Sequence, residues 1–112
     1  MPMPSRSSTT TERVQRNPLG PIHPGEILRE EVLEPLGMSP YALATELRVP
    51  RTRIERLVRE ETPVTTDTAL RLARYLGTTA EFWLKLQARF DLETARQAGN
   101  ADIAAIKPRK TA

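Results

Sequence analysis

SPYALATELRVPRTRIERLV, residues 39–58, reads as two short helices joined by a tight turn, and the rest of the chain is organised around it. Ser39 is a good N-cap, because its hydroxyl accepts from a first-turn N–H, and Pro40 suits the first helical position, where a missing N–H costs nothing. Leu43, Ala44 and Leu47 then recur at helical spacing as a buried stripe, and the small Ala44 lets another helix approach closely. Arg48-Val49-Pro50 is long enough only for a sharp turn. The second helix runs from about Arg51 to Arg59, with Ile54, Leu57 and Val58 facing inward.

Upstream, Pro24 suits a first helical turn and Glu26 sits where a carboxylate favours a helix N-terminus. Apolar residues recur from Ile27 to Leu33, and Pro35 and Gly37 are expected to stop this helix. Downstream, Glu60-Glu61-Thr62-Pro63-Val64 is a loop, and Thr65 or Thr66 caps a fourth helix with Asp67 in its first turn. Ala69, Leu70, Leu72, Ala73 and Leu76 give that helix an apolar face, ended by Gly77. Thr79 caps a fifth, carrying Phe82, Trp83, Leu86 and Phe90 and ended by Gly99-Asn100. No strand pattern is present.

The expected fold is therefore all-α: a compact five-helix domain over residues 21–98, between flexible tails at 1–20 and 99–112. The N-terminal stretch is too rich in Ser, Thr, Pro and Arg to offset the entropy of ordering it. So small a core favours a homodimer that buries further apolar surface.

Composition excludes several classes. There is no cysteine, hence no disulfide framework or thiolate metal site. No apolar run is long enough to span a membrane and the N-terminus lacks a signal-peptide core, so a cytoplasmic protein is expected. His23 is the only histidine and has no Cys or carboxylate cluster beside it, so a capping or packing role is expected. No catalytic constellation and no phosphate-binding glycine loop can be assembled; neither an enzyme, a cofactor nor a small-molecule substrate is expected.

The net charge of +3 and pI near 9.8 do not by themselves point to nucleic acid. Residues 21–98 hold 11 basic and 12 acidic side chains, so the excess resides in the tails. Local distribution says more. Between Arg48 and Arg59 there are five arginines and one glutamate, a charge of +4. With Ile54, Leu57 and Val58 turned inward, Arg51, Arg53, Arg56 and Arg59 must lie outward, with Thr52 among them. Most charged helix faces are merely solvated. Here the face belongs to a two-helix unit of the right lengths and turn, which favours double-stranded DNA as partner. The first helix carries Glu26, Glu30, Glu31 and Glu34 against Arg29 alone, so its polar side should point away from phosphate. Phe82 and Trp83 are neighbours about 100° apart on one helix, which suits one ring to the core and the other to a partner.

The segments IHPGEILREEVLEPLGMS, ALATELRVPRTRIERLV and VTTDTALRLARYLGTTAEFWLKLQARFDLE together resemble a HigA-type (VapI-type) antitoxin of the Xre/Cro helix-turn-helix superfamily, with a lambda-repressor-like fold. The resemblance spans about residues 21–95. Its most specific pieces are Ile22-His23-Pro24-Gly25-Glu26 and the Asp67–Ala73 run followed by Glu81-Phe82-Trp83-Leu84. It implies a protein that neutralises a HigB-like toxin, a RelE-like ribonuclease that cleaves mRNA, and that represses its own operon as a dimer. A free-standing repressor of the same superfamily, without a toxin, is the alternative.

In that pattern Arg51, Thr52 and Arg56 would read bases, while Ser39, Tyr41, Arg53 and Arg59 would contact phosphates. Glu30 and Glu34 are the expected toxin contacts, and Trp83 and Phe90 the expected dimer contacts. Two positions depart from the superfamily. Arg48 stands where a glycine is usual at the inter-helix turn, and Pro50 stands where a Ser or Thr commonly caps the reading helix.

Overall fold

The structure, a computed structural model, describes residues 20–110. The arm expected at residues 1–20 thus lies, but for Gly20, outside the described residues. Six helical elements follow one another, and no strand occurs among the described residues. Element α1 is a single rod made of three consecutive pieces, Pro24–Ile27, a π-helical stretch Leu28–Leu33, and Glu34–Leu36. It is followed by α2 (Pro40–Leu47), α3 (Arg51–Val58), α4 (Thr66–Leu76), α5 (Ala80–Ala98) and α6 (Ala101–Ala104).

Helix α1 does not stop at Pro35. The π-helical turn bonds the Glu34 N–H to the Arg29 carbonyl, five residues back. In a regular helix the Pro35 ring would collide with the carbonyl four residues before it, and the wider turn accommodates the ring without breaking the rod. The end comes at Gly37, whose φ of 61° lets the Met38 N–H reach back to the Leu33 carbonyl at 3.0 Å.

The core joins all five long elements. Leu28 from α1, Leu43 and Ala44 from α2, Ile54 and Leu57 from α3, Ala69 and Leu72 from α4, and Trp83 from α5 are all essentially inaccessible. Each large apolar side chain so buried contributes roughly 1.5–3 kcal/mol relative to exposure. The expected inward residues of α2 and α3 are the buried ones. On α4, Leu70 is the exception and lies exposed on the outer side.

The caps fall largely where the sequence places them. Ser39 Oγ accepts from the Ala42 N–H, Thr65 Oγ1 from Thr68 and Thr79 Oγ1 from Phe82. The C-terminal stretch, expected to be a flexible tail, begins with a short helix. Asn100 Oδ1 accepts from the Asp102 and Ile103 N–H groups and starts the short helix α6, whose residues are all exposed.

Candidate nucleic-acid interface

Helix α3 is held from three sides. Arg29 of α1 donates from Nη1 to the Val58 carbonyl and from Nη2 to Glu60 at 3.2 Å and Glu30 at 3.1 Å. Burial opposes the charge on Arg29, but the bonds to Glu30 and Glu60 outweigh it and raise its pKa above the ordinary arginine value. The bond to Val58 satisfies an open carbonyl at the α3 C-terminus. Glu60, at φ 65°, is turned back toward Arg29, so a carboxylate just past α3 is neutralised.

The second support is the α1 N-terminus. His23 is its N-cap: Nδ1 accepts from the Gly25 N–H at 2.8 Å, so the neutral ring carries its proton on Nε2. The ring is buried against Phe90, centroid to centroid 4.8 Å, and hydrogen-bonds the Thr62 main chain. Burial lowers its pKa, against opposing influences from Glu60, Asp91 and Thr62. The sequence expectation of a capping and packing histidine holds.

The third support is α5, through the loop before α4. Buried Gln87 accepts from the Val64 N–H at 2.8 Å and donates to Asp91 at 2.9 Å. A buried N–H in a loop needs such a partner, and nothing in the spacing of Gln87 announced it. Trp83 packs beneath and donates from Nε1 to Thr78 Oγ1 at 2.9 Å.

What these supports present is the outer side of α3. Arg51, Thr52, Arg53, Arg56 and Arg59 are all exposed there, as the sequence requires. Arg51 lies with its guanidinium carbon 5.8 Å from the centre of the Tyr41 ring and its Nε 3.3 Å from Glu55. Arg53 is bound to Asp67 at 2.6 Å. Arg56 and Arg59 have no ion-pair partner among the described residues. Ser39 and Tyr41 are exposed at the start of α2, on the element next to α3. An open groove of about 480 Å³ runs beside α3, with Thr52, Arg53 and Arg56 on one side and Pro63, Thr65 and Asp67 on the other. Such an array of guanidinium groups can clamp phosphates and bind guanine edges in bidentate fashion.

A helix-turn-helix family model matches residues 29–83. Virulence-associated protein I of Dichelobacter nodosus is 52% identical over 82 residues, 73% of this chain and 76% of that protein. The antitoxin HigA of Pseudomonas aeruginosa, solved with the higBA promoter, superimposes with a TM-score of 0.75 at 45% identity, covering 79% of this chain and 97% of that one.

The chain belongs to the HigA-type helix-turn-helix family. Antitoxin GraA, solved in complex with its operator, is similar in the same way: TM-score 0.77, 45% identity, 86% of this chain and 98% of that one.

Within that HigA-type frame, both unusual turn positions have a structural outcome. Arg48 adopts φ 61°, ψ 46°, the left-handed conformation a glycine would take more readily. Pro50 stands at the N-cap of α3 and supplies no side-chain cap; its carbonyl accepts from the Arg53 N–H at 3.0 Å, which leaves the Arg51 and Thr52 N–H groups for an incoming anion. Of the α1 glutamates, Glu30 is bonded to Arg29, which also holds the α3 C-terminus, while Glu34 is exposed near the far end of the rod.

Of the two expected dimer contacts, Trp83 needs correction. Trp83 is 1% exposed and fills the core, so it offers no surface to a second subunit. Phe90 is half-buried, with an edge committed to His23. The aromatic side chain that faces outward on α5 is Phe82, 43% exposed. Among the described residues, no group of three or more His, Asp or Glu is placed to hold a metal ion, and no helix is long and apolar enough to cross a membrane.

Proposed function

We propose that this protein is a cytoplasmic antitoxin and operon repressor without catalytic activity. As a dimer it binds an inverted repeat in its own promoter and, separately, neutralises a HigB/RelE-like mRNA-cleaving toxin. Operator binding is supported above all by one observation: the exposed arginine face of α3 occurs in a chain 45% identical to HigA and GraA proteins solved on promoter or operator DNA. Arg51, Thr52 and Arg56 read base edges; Ser39, Tyr41, Arg53 and Arg59 contact phosphates. Two copies of α3 then enter successive major grooves roughly 34 Å apart.

The test is an affinity measurement on a duplex from the region upstream of its own gene and on a scrambled duplex. Replacing Arg51 and Arg56 by alanine should abolish discrimination between the two while the circular dichroism spectrum stays the same. Unaltered operator affinity in that variant removes α3 from the reading role.

Toxin binding rests on the family, and the α1 carboxylates are its candidate surface. Reversing the charge of Glu30 and Glu34 should weaken co-purification with a basic RelE-like partner encoded beside the gene. Full retention assigns the contact elsewhere.

A further inference from the structure

The cationic side chains that flank the groove beside α3 are not equally available. Arg56 has no ion-pair partner among the described residues, whereas Arg53 donates from Nη1 to Asp67 Oδ2 at 2.6 Å. The same oxygen accepts from Arg71 Nε at 2.9 Å. Arg71 is in turn fixed on α2, where its Nη1 donates to the Leu47 carbonyl at 2.8 Å. Asp67 lies in the first turn of α4, where the helix dipole favours a carboxylate, and the bonds from Arg53 and Arg71 hold its carboxyl below the usual range. Of these three side chains, Arg53 alone is bound only at one end. It sits on the helix proposed to enter the groove.

We propose that Asp67 is a specificity-determining residue, whose carboxylate withholds Arg53 from the phosphates of DNA of arbitrary sequence and releases it only to a phosphate held in register. The inference rests on the operator-binding reading of α3. Phosphate contacts raise affinity for every sequence alike, so a free cation beside the reading helix narrows the gap between operator and random DNA. An exposed ion pair such as Arg53–Asp67 is weak and exchangeable. On the operator, base contacts by Arg51, Thr52 and Arg56 fix α3, a phosphate stands within reach, and Arg53 changes partner. On random DNA no register is fixed, and Arg53 stays with Asp67.

Asp67→Asn keeps the shape and one accepting oxygen while removing the charge. Binding is measured against salt, on the operator duplex and on a scrambled duplex of equal composition, for wild type, D67N, R53A and the double variant. Thermal melts confirm the fold of each. D67N should bind the scrambled duplex several-fold more tightly, with a salt slope steeper by about 0.9 per additional phosphate contact. Its operator slope should stay that of wild type. R53A alone should lower the operator slope by a similar amount and leave the scrambled slope unchanged, and the double variant should lose the gain of D67N. Equal shifts on both duplexes, or no shift on the scrambled one, overturn the inference. A gain that persists without Arg53 also overturns it, since Asp67 would then act by direct repulsion of DNA. A wild-type protein that does not discriminate the duplexes at all defeats the operator reading itself, which distinguishes the two failures.

Discussion

Gly25 and Leu57 stand so close that a methyl group built on the Gly25 Cα would lie 1.8 Å from the Leu57 carbonyl oxygen. The backbone of α1 rests directly on the last turn of α3, and only a residue without Cβ permits it. Gly25→Ala must push the two helices apart at a fully buried contact. A cost at the upper end of roughly 1–3 kcal/mol is expected, with a fall in operator affinity because α3 moves. Urea unfolding and operator titration check both; a variant as stable as wild type refutes the contact.

His23 sets a pH dependence of stability. Its folded-state pKa lies below the unfolded value near 6.5, chiefly through burial, so the folded form resists protonation. Above pH 6.5 both states are neutral and nothing is lost. As pH falls below 6.5 the unfolded chain takes up a proton first and stability drops, by at most about 1.4 kcal/mol per pH unit, until the folded pKa is passed. His23→Asn keeps an N-cap but does not titrate, so its melting temperature should vary less than that of wild type between pH 6.5 and 5. Parallel curves for the two proteins would contradict the assignment.

Arg48 supports a gain in stability. A non-glycine residue in the left-handed region costs about 1–2 kcal/mol, and introducing glycine loosens the unfolded chain by about 0.4–1 kcal/mol. Arg48→Gly should therefore be stabilised by roughly 0.5–1 kcal/mol, measured by thermal or urea unfolding. Destabilisation would mean that the Arg48 side chain contributes contacts beyond its backbone shape.

Tyr41 has two candidate roles that separate cleanly. If its ring steadies Arg51, Tyr41→Ala should weaken operator binding by roughly two- to fivefold, the range of an exposed cation–π contact, while Tyr41→Phe keeps nearly full affinity. Equal losses in both variants would assign the contribution to the hydroxyl and a phosphate.

Gln87 tests how the loop before α4 is held. Gln87→Leu fills similar space but leaves the buried Val64 N–H without its acceptor, which should cost about 1–3 kcal/mol. Hydrogen exchange at Val64 should quicken by a corresponding factor. Unchanged exchange would show that the bond carries no weight.

The sequence alone determined the five long helices, the Ser39 and Thr79 caps, the inward stripes of α2 and α3 and the outward arginines. These follow from local rules: 3.6-residue periodicity, first-turn hydrogen bonding, and the inability of guanidinium groups to lie among Leu57, Ile54 and Val58. It also separated the acidic α1 from the basic α3. Only the tertiary structure decided which ring of Phe82-Trp83 faces the core, that Pro35 is carried through α1 by a π-helical turn, and why position 25 must be glycine. The Arg53–Asp67 pair and the Arg29 bond to Val58 are equally tertiary. Each joins residues far apart in the chain, and periodicity carries no information about which residues of different helices meet; that depends on how whole faces pack.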